Sequence, residues 1–273
     1  IKDWIFKAQK PVDAIFNQEI SSRVDDFASA LINASKNKGF LPNLILHGPG
    51  GTGKTMIAKQ IAKKSGMSYV AMSGGNLAQY IKRGEHVSEL NKLMESAKKK
   101  KTILFIDEAE SLTEDRNLMN TPERLDLINA FLNHTGEESK NLSIILATNR
   151  IARIDEAVMS RMDYKIEITL PGYPERAEIL SAYIAKRFSK EEIETHFTEK
   201  TINRIAYDTE GFTGRALSKM INAISNKIAS TEKNELTTAL INETVSEFIA
   251  QEKRYGKAKG HKSFIAHLFF SIF

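Results

Sequence analysis

Residues 48–55 read GPGGTGKT, which matches the phosphate-loop pattern GxxxxGK[ST] at every defined position. Glycines let backbone N–H groups approach phosphate oxygens closely, and the helix N-terminus that follows adds positive potential. Lys54 can place its charge on the β- and γ-phosphates, and the Thr55 hydroxyl can bind Mg²⁺. A glycine turn without a ligand is the alternative interpretation. The residues expected to contact a nucleotide are Pro49, Gly50, Gly51, Thr52, Gly53, Lys54, Thr55 and Met56.

An acidic pair ends the apolar run ILFIDE at residues 103–108. Asp107 is expected to hold Mg²⁺, directly or through water, as the acidic counterpart of Thr55. Glu108 is expected to polarise the attacking water, a role that contributes about 10²–10⁴-fold in rate. Acids that only cap a strand end in solvent are the alternative. Together with the phosphate loop, the pair predicts hydrolysis of ATP with Mg²⁺ as cofactor.

Short apolar runs alternating with helical patterns must position these side chains. Each run has apolar residues at both its odd and its even positions, which is typical of strands buried on both faces of a parallel sheet. The predicted strands are Leu44–His47, Ser68–Met72, Thr102–Ile106, Leu142–Ala147 and Tyr164–Ile168. Helices are predicted near 54–65, 85–100, 122–134 and 155–160. This alternation predicts an α/β fold of the P-loop NTPase type, a five-stranded parallel sheet flanked by helices.

The chain is predicted to have four segments. Residues 1–42 form an N-terminal lead-in with a helix near 18–36, and residues 43–171 form the α/β nucleotide-binding domain. Pro171 and Gly172 mark the boundary, because both residue types interrupt regular elements. Helices near 174–188, 198–208, 214–229 and 236–252 predict a small all-helical lid domain over residues 172–252. Residues 253–273 form a C-terminal tail.

The tail ends in the apolar stretch FIAHLFFSIF at residues 264–273, which is too short to span a bilayer as a helix. A packed terminal helix, a contact with a partner and the end of a fragment all remain open. The chain begins with Ile1 rather than Met, so we expect it to be a piece of a longer protein whose upstream part could contain a targeting or membrane segment.

Composition narrows the class of protein without identifying it. The net charge of +5 comes from 39 basic and 34 acidic residues and is spread along the chain, so nucleic acid is not an expected partner. The one dense basic run, residues 98–101, precedes a predicted strand and is typical of a solvated helix end. The chain has no cysteine, which excludes disulfides and is compatible with a reducing compartment.

Three more residues follow the acidic pair in order: Asn149 in LSIILATN, Arg161 in DEAVMSRMDYKIEI and Arg215 in GFTGRAL. With the phosphate loop and the acidic pair, they resemble the AAA+ superfamily across about residues 12–252. The helix ERLDLINAFL at residues 123–132 is similar to the ER…LN…L element of AAA proteins. The resemblance places Glu123 and Arg124 near a subunit boundary.

The resemblance implies a role for each of these residues. Asn149 would contact the γ-phosphate or the attacking water, from a strand lying between those of the phosphate loop and the acidic pair. Arg161 would act on the nucleotide of a neighbouring subunit, where such fingers contribute about 10³–10⁵-fold in rate. Arg215, with Gly214 at the helix entry, would contact the γ-phosphate from the lid. A polar turn residue and two solvated arginines are the alternatives.

Within the superfamily, the segments SGMSYVAMSGG, RLDLINAFLNHTG, SRMDYKIEITLPGYPERAEIL and GFTGRALSKM resemble the group called ATPase family AAA domain-containing protein 3. That resemblance implies a homo-oligomeric, hexameric ring at the mitochondrial inner membrane with a matrix-facing ATPase domain. A bacterial relative in the cytoplasm remains open. The sequence departs from the commoner AAA pattern because the stretch before Arg161 is two residues shorter and lacks a second arginine.

The sequence indicates less clearly what work ATP hydrolysis drives than where ATP binds. AAA unfoldases grip a threaded chain with an aromatic, an apolar residue and a glycine, and Tyr80 and Ile81 are the candidates here. Their glycine, Gly84, comes late, and Tyr80 packing on its own helix is the alternative. Two functions therefore stay open: remodelling of protein or membrane-associated substrates, and a nucleotide-gated scaffold that organises membrane or nucleoid complexes.

Overall fold

A computed structural model describes residues 15–76, 84–114, 121–230 and 235–269, with side chains described as far as residue 254. The chain divides into two units, and the division lies between Leu170 and Pro171. This division lies beside the Pro171-Gly172 pair that punctuates the sequence. The predicted limits at residues 42, 171 and 252 stay predictions. Residue 252 lies inside a helix that continues to Phe269.

The first unit is organised by a sheet whose strands all pair in parallel, in the order β2-β3-β4-β1-β5. The strands are β1 Leu44–His47, β2 Ser68–Ser73, β3 Thr102–Asp107, β4 Leu142–Thr148 and β5 Tyr164–Glu167. The predicted five-stranded parallel sheet is confirmed. Strand β4 lies between β1 and β3, as the resemblance implied. All five carboxyl ends therefore meet at one edge of the sheet.

Helices cover both faces of this sheet. They are α1 Gln18–Lys36, α2 Lys54–Ser65, α3 His86–Lys98, α4 Glu110–Thr113, α5 Pro122–Thr135 and α6 Glu156–Met159. One apolar cluster joins α1 and α2 to the sheet through Phe27, Leu31, Ile57, Ile61 and Phe105. A second joins α3 and α5 to the other face through Leu90, Met94, Leu104, Leu127 and Phe131. Each such buried side chain contributes about 1.5–3 kcal/mol, so these clusters hold the sheet edge in place.

Strand burial follows strand position. Every residue of β4 is buried, and β3 is buried up to Asp107, because both strands have neighbours on each side and helices on each face. Strands β2 and β5 are at the edges of the sheet and keep partly exposed residues. The expectation that all five strands are buried on both faces is therefore wrong for these two, since an edge strand is covered less completely than a central one.

The lead-in helix begins and ends where its local sequence indicates. The Asn17 side chain accepts a hydrogen bond from the backbone N–H of Ile20 at 2.8 Å, which caps the helix N-terminus. Lys36 lies in the last turn, where its charge complements the helix dipole. Arg23 anchors the helix to β5 by donating to the backbone oxygen of Lys165 at 2.6 Å.

The second unit contains helices only, within its described residues. They are α7 Tyr173–Arg187, α8 Lys190–His196, α9 Glu199–Asp208, α10 Gly214–Ala229 and α11 Thr238–Phe269. The short helices α4 and α8 were not predicted, since seven or fewer residues show little periodicity, whereas the equally short α6 was predicted near 155–160. A capping box still marks α8: Ser189 and Glu192 exchange backbone and side-chain hydrogen bonds. Within the described part of the chain, no helix has the length and apolar content needed to cross a membrane.

Candidate active site

The carboxyl edge of the sheet brings together three of the predicted site segments. The phosphate loop follows β1, Asp107 is the last residue of β3 with Glu108 directly after it, and Asn149 directly follows β4. Because β4 lies between β1 and β3, these segments are spatial neighbours despite their separation in sequence. In open α/β sheets, ligands bind at this edge.

The phosphate loop has a backbone that requires glycine at its first position. Gly48 has φ +140°, and a Cβ atom there would lie 2.1 Å from the backbone oxygen of Ile168. The loop is closed by Thr52, whose hydroxyl donates to the backbone oxygen of Pro49 at 2.9 Å. Helix α2 then begins at Lys54, and Met56 lies in its first turn. The N–H groups of this first turn provide a site for a phosphate.

Lys54 is buried, with 6% of its surface exposed, at the centre of this loop. Its ammonium donates to the backbone oxygens of Gly48 and Pro49, both at 2.8 Å, and to Asn149 Oδ1 at 2.7 Å. A buried ammonium needs such acceptors, because desolvation without them is costly. The contact with Asn149 links the phosphate loop to the end of β4.

Thr55 and Asp107 meet as the sequence predicts. The hydroxyl of Thr55 donates to Asp107 Oδ2 at 3.0 Å, and Asp107 Oδ1 accepts from the backbone N–H of Glu108 at 3.0 Å. One hydroxyl and one carboxylate are a suitable protein contribution for Mg²⁺, which takes its other ligands from water and substrate phosphates. No cluster of three or more His, Cys, Asp or Glu side chains occurs among the described residues, so a dedicated all-protein metal cage is not seen there.

Glu108 is exposed and has a strained backbone. Its φ of +50° is in the left-handed region, which costs a non-glycine residue about 1–3 kcal/mol. The Ser73 hydroxyl donates to Glu108 Oε2 at 3.3 Å. Sequence reasoning missed Ser73 because it ended β2 one residue early. The signal that could have found it is a polar residue at the carboxyl end of a parallel strand.

The pKa values of two titratable side chains in the sheet unit are shifted toward the uncharged form. Burial lowers the pKa of His47, the charges of Arg23 and Lys54 lower it too, and Glu167 partly opposes them. Burial and the negative charge of Asp107 raise the pKa of Tyr69 above its ordinary value. Both shifts favour a neutral imidazole and a neutral phenol.

Arg161 lies at the amino ends of the strands, opposite the carboxyl ends that carry the phosphate loop. It precedes β5, and its backbone oxygen accepts from Asn43 Nδ2 at 3.3 Å, just before β1 begins. The four residues of β1 separate this edge from the phosphate loop by roughly 13 Å. The guanidinium folds back on α6, where Nη1 donates to the backbone oxygen of Ala157 at 2.6 Å. Arg161 is therefore not part of the cluster around Lys54.

The remaining predicted residues have separate outcomes. Gly214 opens α10, whose N-cap Thr213 accepts from the backbone N–H of Ala216 at 3.2 Å, and Arg215 is exposed in its first turn. Both lie in the second unit, and their contact with a nucleotide stays a prediction. Tyr80 and Ile81 lie outside the described residues. Glu123 is exposed in the first turn of α5.

Arg124 has a partner that the sequence did not indicate. Its Nη1 donates to Glu114 Oε2 at 3.1 Å, and Arg153 Nη2 lies 2.5 Å from Glu114 Oε1. Glu114 is buried, with 7% of its surface exposed. A single carboxylate thus binds two arginines from different segments of the chain. Nothing in the local sequence pairs these residues, since the contact depends on the tertiary structure.

Comparison with known proteins agrees with this geometry. Residues 44–170 match the family described as ATPase family associated with various cellular activities (AAA). The ATPase family AAA domain-containing protein 3A homolog of Drosophila melanogaster is 32% identical over 95% of this chain and 44% of its own length. The corresponding protein 3 of Caenorhabditis elegans is 33% identical over 86% of this chain and 41% of its own length. The human ATPase family AAA domain-containing protein 3A is 30% identical over 90% of this chain and 44% of its own length.

The chain therefore spans less than half the length of these curated relatives. Its similarity to them extends over both structural units, whereas the family match covers the sheet unit. The phosphate loop, the Thr55–Asp107 pair and Asn149 all lie within the matched segment. Residues 44–170 are thus a domain of the AAA family, and the chain as a whole is similar in sequence to the ATPase family AAA domain-containing 3 proteins.

Proposed function

We propose that this chain hydrolyses ATP with Mg²⁺ at the carboxyl edge of its sheet. The observation that carries the proposal is the convergence of Lys54, the Thr55–Asp107 pair and Asn149 around one phosphate loop. A cation and a metal-binding pair are groups that bind a triphosphate, and the Asn149 amide also has an Nδ2 that can donate to a phosphate oxygen. Mg²⁺, when bound, neutralises charge on the β- and γ-phosphate oxygens.

The protein's own residues supply the other steps. The backbone N–H groups of the loop and the Lys54 ammonium bind the phosphates, and the Thr55 hydroxyl and the Asp107 carboxylate face the metal position. Glu108 orients a water molecule and accepts its proton as the water oxygen attacks the γ-phosphorus and the bond to the β-phosphate oxygen breaks. Asn149 holds the γ-phosphate or this water. Ser73 restrains the Glu108 carboxylate until the nucleotide is bound.

Replacing Glu108 with glutamine tests this assignment. The amide keeps the shape of the side chain but cannot accept a proton, so turnover is expected to fall about 10²-fold or more. ATP affinity should stay within a few-fold, because Lys54 and Thr55 are unchanged. Steady-state ATPase rates and calorimetric titration measure the two quantities. Turnover near the wild-type rate would show that Glu108 is not the base.

A ring assembly is the arrangement that explains Arg161 best. The residue is separated from its own phosphate loop by the length of β1, and heterologous contact between identical subunits would bring the two edges together. We propose that Arg161 leaves Ala157 and contacts the γ-phosphate bound by the next subunit. The hexameric number and the action of Arg215 rest on the resemblance alone.

The output of the cycle is proposed as remodelling of a protein or membrane-associated substrate, with Tyr80 and Ile81 as the gripping residues. A Tyr80→Ala variant separates this from a scaffold role. Loss of substrate-stimulated ATPase activity supports remodelling, whereas unchanged stimulation supports the scaffold. The mitochondrial location and the membrane association that the resemblance implies both stay predictions.

A further inference from the structure

Glu114 lies between the two loops that carry Glu108 and Asn149. It comes six residues after Glu108, and its partner Arg153 comes four residues after Asn149. The backbone pairs at the same place, because Glu114 forms an isolated antiparallel bridge with Ile154. The backbone oxygen of Thr113 also accepts from the N–H of Asp155 at 2.9 Å. The two loops therefore run side by side as they leave the sheet.

A second contact joins the same loops nearer the strands. The Thr148 hydroxyl, at the end of β4, donates to Glu110 Oε2 at 2.6 Å and accepts from the backbone N–H of Arg150 at 2.9 Å. The Glu114–Arg153 pair closes the far end of this ladder.

Both oxygens of the Glu114 carboxylate are used, one by each arginine. Arg153 belongs to the loop after Asn149, and Arg124 belongs to the first turns of α5. The side chains of Arg153 and Arg124 are 42% and 43% exposed, whereas the Glu114 side chain is only 9% exposed. Charge-assisted hydrogen bonds of this kind have a fixed geometry, because the planar guanidinium presents its donors in a rigid fork.

Stability alone explains this arrangement poorly. A buried ion pair roughly offsets its own desolvation, and an apolar replacement is often as stable. ATP hydrolysis has a different requirement, which is precise placement of the groups around the attacking water. The water molecule must lie between Glu108 and the γ-phosphate, and a displacement of about 1 Å can cost about 10²-fold in rate.

We infer that Glu114 is a positioning residue for ATP hydrolysis. Through Arg153 it holds the Asn149 loop in register with the Glu108 loop, and through Arg124 it ties both loops to α5. The inference rests on the proposed hydrolysis and adds to it a residue that contacts neither nucleotide nor metal. Glu114 therefore acts on kcat and leaves the phosphate loop, and with it ATP binding, unaltered.

The test is a double-mutant cycle on the purified chain with Glu114→Gln, Arg153→Gln and the double variant. Each single change is expected to lower kcat about tenfold or more, with the KM for ATP within about threefold of wild type. The double variant should be no slower than the slower single variant, because the two residues act as one unit. The control Glu89→Gln removes a carboxylate from the exposed pair with Lys92 and should leave kcat unchanged.

Thermal melts and ATP-binding stoichiometry separate positioning from folding. A purely structural role would lower the melting temperature and the number of binding sites but leave kcat per occupied site unchanged, which would overturn the inference. Additive losses in the cycle would overturn it as well. If Glu114→Gln does not fold, Arg153→Lys carries the test, since it keeps the charge but loses the fork.

Failure of this inference and failure of the proposed function give different results. A wild-type chain without ATP turnover, or one whose turnover survives Glu108→Gln, contradicts the hydrolysis mechanism itself. If turnover of the wild-type chain depends on Glu108, but Glu114→Gln and Arg153→Lys both keep kcat within twofold, only the role of Glu114 is contradicted.

Discussion

Replacing Asn149 with aspartate tests how the phosphate loop is held before nucleotide binds. The change is isosteric and adds one negative charge 2.7 Å from the Lys54 ammonium. Coulomb attraction over that distance is about 1.5 kcal/mol at the dielectric constant of water and about 6 kcal/mol at an effective value of 20. Asn149 is exposed, so the lower figure is the appropriate guide.

Two effects then oppose ATP. Lys54 is held more tightly away from the β- and γ-phosphates, and the new carboxylate repels the γ-phosphate. Since about 1.4 kcal/mol is a factor of ten, ATP affinity should fall at least about tenfold. ADP lacks the γ-phosphate and should lose less, so the ratio of ATP to ADP affinity should fall too.

Calorimetric titration in the Glu108→Gln background measures both affinities without turnover. Asn149→Ala removes the acceptor without adding charge, so ATP affinity should fall clearly less than in Asn149→Asp. Asn141→Asp makes the same isosteric change at the other end of β4 and should have no effect. Wild-type ATP affinity in Asn149→Asp, or an equal loss in Asn149→Ala, would refute the electrostatic reasoning.

Two further predictions concern Arg161 and Gly48. Arg161→Ala should abolish turnover and leave ATP affinity intact. An equal mixture of Arg161→Ala and Glu108→Gln subunits should restore about a quarter of the wild-type rate, because one interface in four then pairs an intact base with an intact arginine. No recovery of turnover in the mixture would exclude action between subunits. Gly48→Ala should lower the unfolding free energy by more than about 3 kcal/mol, since its Cβ would lie 2.1 Å from the Ile168 oxygen. Gly66→Ala, at φ +66° with nothing within 4 Å, should cost only about 1–2 kcal/mol, and equal costs in urea titrations would contradict the steric argument.

Much of the fold and part of the site could be predicted from local patterns. Helix α2 and strand β1 have the predicted limits, and most other predicted elements agree with the structure to within a few residues. Such agreement is expected where apolar periodicity and caps lie within one element, as with Asn17 at the start of α1. Helices α4 and α8 were missed, since helices this short show little periodicity.

The residues of the candidate site likewise fall into those that local motifs predict and those that they do not. Lys54, Thr55, Asp107 and Glu108 belong to two contiguous motifs, so the sequence predicted their types and order. Ser73 was missed by one residue at a strand end. Glu114 was missed because an acid after a short helix has no local signature that distinguishes it from a solvated side chain.

The sequence by itself determined the chemistry available to this protein: a glycine loop before a helix, two carboxylates after an apolar strand, and the alternation of elements that specifies a parallel sheet. These properties are local, because they depend on residues close together in the chain. Only the tertiary structure decided which groups meet. Lys54 reaches Asn149 across 95 positions because β4 inserts between β1 and β3. Glu114 meets Arg153 because the segments that follow β3 and β4 leave the sheet at the same edge, and it meets Arg124 at the start of α5. Strand order sets the first of these contacts, and no contiguous stretch of residues records it.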